Sequence, residues 1–181
     1  MACMLGSGTT HFAVRVVAVG ILASMSACAA SGEIRVANPM SVNMRGYQLV
    51  GLMVQAANPA DEAEARMLGD WLMQQLPPAG IRLVDHRLRP DVPADVGIAI
   101  AVLQVRRVTQ TERILVGGLA GRAGLVTHVR VVEIATRRVL GEATIEGKSS
   151  GGTVFAGTTE QAVREAGSAI AGWLLGAPPP Q

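Results

Sequence analysis

A twelve-residue apolar run, VVAVGILASMSA at positions 16–27, decides how much of this chain can enter a folded core. It is too short to span a bilayer, which takes about 20 residues. A short stretch containing His11, Phe12 and Arg15 precedes it, and small residues close it. That is the layout of a secretory signal peptide, so residues 1–27 are expected to be removed. Of the two cysteines, Cys3 leaves with the leader and Cys28 is then the only thiol. A disulfide framework and a cysteine-built zinc site are thereby excluded.

Met25-Ser26-Ala27-Cys28 resembles the bacterial lipobox, an aliphatic position, two small residues and a cysteine. In lipoproteins that cysteine takes a diacylglyceryl thioether and becomes the mature N-terminus. Methionine stands here where leucine is usual. The alternative is ordinary secretion, cleaved after Ala29 with Ala27 and Ala29 as the small pair. A lone thiol in an oxidising envelope is a liability, whereas a lipidated one is inert, which favours the first reading. Three acyl chains, at about 0.8 kcal/mol per buried methylene, pass the two-signal threshold for stable anchoring. Ala29 occupies the position where an aspartate would resemble an inner-membrane retention signal. The expected location is the outer membrane of a Gram-negative bacterium, on its periplasmic face, anchored through Cys28.

Cleavage before Cys28 leaves 154 of the 181 residues, enough for one core without staples. With 16 basic against 14 acidic residues the chain lacks the electrostatic footprint of a nucleic-acid binder. Aromatics at 3% leave little for stacking on bases or sugars. Residues 28–46 read as the lipidated cysteine and a tether, with a short extended piece at Ile34–Val36. Residues 47–175 read as a single domain and 176–181 as a proline-rich tail.

Within the domain the hydrophobic period alternates. Tyr47–Ala56 reads as a strand. Asp61–Leu76 carries Ala63, Met67, Leu68, Trp71, Leu72 and Leu76 at helical spacing, with acidic residues in its first turn. Ile81–Asp85 is a short strand and Asp95–Thr109 a longer one. In the latter Ile98, Ile100 and Val102 share one face, and Gly97, Ala99 and Ala101 form a small-residue face suited to a close helix. Leu103 and Val105 break that alternation, which predicts a bulge near Val102. Leu125–Ile134 and Val139–Lys148 form a hairpin, the second strand with Val139, Ala143 and Ile145 inward and Leu140 outward. Thr159–Leu175 is a helix with Thr158 and Gln161 at capping-box spacing and Val163, Ala166, Ile170 and Leu174 in one stripe. The predicted fold class is α+β: a mostly antiparallel five-stranded sheet with two helices packed on one face.

Motifs for chemistry are few. Gly147-Lys148-Ser149 lacks the upstream glycine spacing of a phosphate-binding loop and ends a strand rather than opening a helix. Gly117-Gly118-Leu119-Ala120-Gly121 has the wrong spacing for a dinucleotide fingerprint. It is a flexible connection or, because Ile114, Leu115, Val116 and Leu119 make it apolar, a partner-binding loop spanning Ile114–Leu119 with Gly117 and Gly118. His128 shares a strand face with Val126 and Val132 and reads as a satisfied, partly buried histidine. His86 sits among Arg82, Arg87 and Arg89, a setting hostile to a metal cation. That arginine cluster is interrupted by Asp85 and Asp91 and reads as a solvated face, a phospholipid-facing patch being the other reading. No nucleophile elbow is present. A hydrolase built on Ser149 or Ser150 with His128 is the least favoured reading. No catalytic residues, cofactor or metal are expected.

From about Tyr47 to Trp173 the chain resembles a family of proteobacterial lipoproteins classed as domain of unknown function "four-four-one-zero". An early apolar strand, a helix ending before Ala79-Gly80-Ile81 and a glycine-rich stretch before a hairpin carry the resemblance. The closing run GKSSGGTVFAGTTEQAVREAGSAIAGWL, with Gly151-Gly152, Phe155 and Gly157, is its most specific part. The family pattern often has Thr-Gly at the hairpin turn; here Thr136 is followed by Arg137. The resemblance implies an envelope lipoprotein and names no activity. The expectation is therefore a non-enzymatic binding or accessory module with an envelope protein partner, the alternative being a carrier of a lipid or other small apolar ligand.

Overall fold

Along the strand at Val96–Arg106, Ile98, Ile100 and Val102 are buried while Ala99 reaches solvent. Burying each of these aliphatic side chains is worth about 1.5–3 kcal/mol, so this face dictates where the helices lie. The computed structural model describes residues 30–108, 121–150 and 157–176. In them the order is β1 (Ser31–Asn38), β2 (Val50–Ala56), α1 (Glu62–Gln75), β3 (Leu83–Asp85), β4 (Val96–Arg106), β5 (Gly124–Glu133), β6 (Val139–Lys148) and α2 (Thr159–Leu174). The strands form one sheet in the order β1-β6-β5-β4-β2-β3. β2 is parallel to β3 and β4, and the other pairs are antiparallel.

The fold is thus α+β with a mostly antiparallel sheet and two helices, but the sheet has six strands rather than five. The additional one, β1, lies in the stretch read as tether, with Ser31 opposite Lys148 and Ile34 opposite Ile145. As an edge strand with one neighbour it carries only a weak apolar alternation, and Gly32 and Asn38 resemble loop residues.

Both helices pack on the Ile98–Ile100–Val102 side and against one another. The small face of β4 is therefore not the helix face, because the larger aliphatics gain more by burial. The helix approaches closely at glycines elsewhere. A Cβ on Gly147 of β6 would collide with the Ala162 carbonyl oxygen and Ala166 nitrogen of α2, and one on Gly32 would lie 2.8 Å from Ala169 Cβ.

α2 buries Val163, Ala166, Ile170 and Leu174 as the periodicity predicts, with Trp173 beside them. The buried stripe of α1 is Ala65, Leu68, Leu72 and Leu76, whereas Ala63 and Met67 are exposed. Trp71 of α1 lies against Gly167 of α2. The β4–β5 register slips between Val102 and Gln104, as the broken alternation predicts, and leaves Leu103 48% exposed. A second slip, between Val131 and Val132 opposite β6, turns Leu140 inward to full burial against the outward expectation. At the β5–β6 turn Arg137 takes φ 58°, the left-handed region that favours glycine.

The topology collects one set of termini at one end. The ends of β2, β4 and β6 and the starts of β1, β5 and both helices meet there. Asp95 fixes the other end, its carboxylate accepting from the Gln48 and Leu49 N–H groups at 3.0 Å and its carbonyl from the Ile134 N–H at 2.9 Å.

Candidate functional site

With both helices on one side, no element among the described residues covers the opposite face of the sheet. Its floor runs from Glu33 and Arg35 of β1 through Glu142, Thr144, Glu146 and Lys148 of β6 to Val126, His128 and Arg130 of β5. It continues over Ala99, Ala101, Gln104 and Arg106 of β4. Strand alternation places all of these on the side away from the core.

His128 lies mid-strand on this face, which Val126 and Val132 share as expected, and is about one-third exposed. Its Nε2 is 2.8 Å from Glu142 Oε1, a cross-strand pair that accounts for the histidine without a metal. Among the described residues no group of three or more His, Cys, Asp or Glu side chains could hold a metal ion. His86 packs over Gly51, with Nε2 3.1 Å from the Val92 carbonyl oxygen.

The serines are occupied structurally. Ser149 is buried and its hydroxyl oxygen accepts from the Ala123 N–H at 2.9 Å. Ser150 donates both its N–H and its hydroxyl to Gln161 Oε1, at 3.2 and 3.0 Å. Gln161 is thereby drawn away from a reciprocal capping box, and only the Thr158 half of it forms, with Thr158 Oγ1 accepting from the Gln161 N–H. Ser149 lies beyond the Gly124–Lys148 pair, whereas His128 is opposite Thr144, about 13 Å along the ladder.

At the end of the sheet where β1 starts, the uncovered face deepens into a recess of about 350 Å³ lined by Gln104, Arg106, Arg122, Gly124, Glu146 and Lys148. Lys148 Nζ lies 3.0 Å from Glu146 and 3.3 Å from Glu33, contacts that raise its pKa, Glu146 foremost. Glu33 is pulled below the ordinary carboxylate range by Arg35 and then by Lys148. Among the described residues, three cations and one carboxylate line the recess, with Glu33 behind it. Sequence reasoning missed this cluster because Arg106, Arg122 and Lys148 come from three separated segments.

The arginine-rich stretch that sequence did single out lies at the opposite end, with Arg82 and Arg89 exposed and Arg87 engaged internally. Arg87 is held by Asp85, with Nη2 2.8 Å from Oδ2, and reaches Asp70 at 3.5 Å. Asp85 is lowered in pKa chiefly by that hydrogen bond. The acidic start of α1 also has a partner that sequence did not reveal: Arg107 bridges Asp61 at 2.9 Å and Glu64 at 2.6 Å. Cys28 and the loop residues Ile114, Leu115, Val116, Gly117, Gly118 and Leu119 lie outside the described residues.

No protein-family model matches the chain, and no curated protein does. Solved structures do. A PelC dodecamer from Paraburkholderia phytofirmans superposes with a TM-score of 0.54 at 15% identity, covering 81% of this chain and 99% of that one. A point variant of that dodecamer gives 0.50 at 15% identity, covering 81% and 98%. Protein XCC0632 from Xanthomonas campestris gives 0.49 at 18% identity, covering 81% and 93%. At these identities the PelC likeness establishes a shared fold.

Proposed function

We propose that the chain is a lipid-anchored outer-membrane lipoprotein facing the periplasm, a non-catalytic binding module of an envelope assembly of the kind the "four-four-one-zero" resemblance implies. The observation that carries this reading is the position of β1. Its first residue, Ser31, is three residues beyond Cys28, so the lipobox cysteine leads directly into the sheet. The engagement of Ser149, Ser150 and His128 in structural hydrogen bonds supports a binding role over hydrolysis.

The alternative, a carrier of an apolar ligand between sheet and helices, needs room in that layer. Leu68, Leu72, Ile98, Ile100 and Ile170 are fully or almost fully buried within it, which weighs against the carrier. Partner contact is assigned to Ile114–Leu119 in the β4–β5 connection, and further copies of this chain are the first companions to seek, since the PelC of like fold is a dodecamer.

Purification in mild detergent from the host's own envelope tests the reading. The expected result is a stoichiometric protein companion, either a second polypeptide or further copies of this chain, that is lost from a Cys28→Ser strain and when Ile114–Leu119 is deleted. A monomeric protein carrying a small apolar ligand would replace the accessory reading by the carrier.

A further inference from the structure

The basic recess and the anchor are at the same end of the molecule. Ser31 pairs with Lys148, a residue that lines the recess. Three residues of chain span at most about 10 Å, so an acyl-modified Cys28 holds this end of the sheet within that distance of the bilayer surface. The other end, with the Arg82–Arg89 stretch and Asp95, points away. Attachment so close to the start of β1 thus presents Arg106, Arg122 and Lys148 to the headgroup layer rather than to bulk solvent.

We infer that this recess is a seat for the phosphate of an anionic phospholipid headgroup in the anchoring membrane. The inference rests on the lipid-anchor reading above and adds the face, the residues and the ligand class. Arg106 makes no ion pair among the described residues, so its guanidinium fork is available for two-point recognition of a phosphate. Lys148, charged and fixed between Glu146 and Glu33, supplies a point charge on the opposite wall. Gly124 in the floor, with no side chain between Arg106 and Lys148, leaves room for the phosphate oxygens. Glu146 disfavours a second negative charge, which favours a monoanionic phosphodiester over a dianionic phosphate monoester. The seat orients the domain on the membrane as well as holding it there.

A single fluorophore distinguishes this from simple tethering. Gln104→Cys labels the recess and Asp91→Cys the opposite end, each in protein purified from the envelope and placed in vesicles containing headgroup spin-labelled phosphatidylglycerol. Quenching should be several-fold stronger at position 104 than at 91. It should fall roughly fivefold for each cation removed in Arg106→Gln and Arg122→Gln. Replacing the phosphatidylglycerol by phosphatidylcholine carrying the same headgroup spin label should weaken it similarly. Equal quenching at the two positions, or quenching at 104 that survives Arg106→Gln and the change of lipid, overturns the proposal. Both arginines lie at the surface, and unchanged melting of each variant excludes a folding defect as the cause. The intact mass of the same preparations reports the Cys28 modification separately. If that mass shows no lipid, the anchor reading fails, and unanchored protein added to the same vesicles still tests the recess.

Discussion

Gly147→Ala should cost about 3 kcal/mol of folding stability, the upper end of what overpacking a core by a single methyl costs. The reason is where the methyl would go. It would strike the Ala162 carbonyl oxygen and Ala166 nitrogen, backbone atoms of α2, and lie 2.8 Å from Ala166 Cβ. Backbone in mid-helix cannot rotate aside as a side chain can, so relief requires α2 to lift from β6. That movement opens contacts made by Val163, Ala166 and Ile170, which are fully buried. For a domain of this size the loss corresponds to roughly 6–12 °C in melting temperature. Gly46→Ala is the matched control, since nothing lies within 4 Å of its new methyl. It should shift stability by less than about 0.5 kcal/mol. Denaturant melts of the two variants check this, and equal midpoints would refute the close approach of α2 to the sheet.

The second large effect concerns the clasp between β4 and the start of α1. Arg107 Nη2 lies 2.6 Å from Glu64 and 2.9 Å from both Asp61 and the Ala60 carbonyl oxygen. The carboxylate side chains are only 10% and 7% exposed, while Arg107 is 42% exposed. Removing the cation leaves two shielded carboxylates side by side. Complete burial would make that cost about 3–5 kcal/mol, and solvent access at Arg107 reduces the expected loss to about 2 kcal/mol for Arg107→Ala. Arg107→Lys should recover only part of it, because an ammonium cannot bridge two carboxylates and a carbonyl in one plane.

The same clasp sets a pH dependence. Glu64 is held below its ordinary pKa, chiefly by the hydrogen bond from Arg107. Its contribution is therefore fully present above the unfolded value, about 4.3, and is lost as pH falls through the lower folded value. The stability gap between the native chain and Arg107→Ala should be complete at pH 7 and narrow steadily below about pH 4. Urea midpoints of both proteins at pH 7 and pH 3 measure it. A gap of equal size at both pH values would mean that packing, not charge, carries the clasp.

Elements whose signal is local were legible in the sequence. The stripe of α2, the Thr158 cap, the bounds of β6 and the bulge beyond Val102 all follow from a few neighbouring residues. What escaped depends on distant partners. Among the described residues β1 has one neighbour in the sheet and so needs little apolar alternation, which left it resembling a tether. The small residues of β4 suggested a helix that instead took the Ile98–Ile100 face, because area burial outweighs close approach. Leu140 turned inward through a register slip opposite Val131 and Val132 that no pattern within β6 announces. For the site the contrast is sharper. The contiguous arginines at 82–89 drew attention and lie at the far end, with Arg87 tied to Asp85 and Asp70, whereas the recess is assembled from positions 106, 122 and 148. Charge proximity created by strand pairing has no signature along the chain.

The account turns on Cys28, and the intact mass of the mature protein taken from the host envelope tests it most directly. It predicts a chain beginning at Cys28 that carries the mass of a diacylglyceryl thioether and a third acyl group, all on the N-terminal peptide. An unmodified chain beginning at Ala30, as cleavage after Ala29 would leave, contradicts it and would make the protein a freely secreted domain of the same fold.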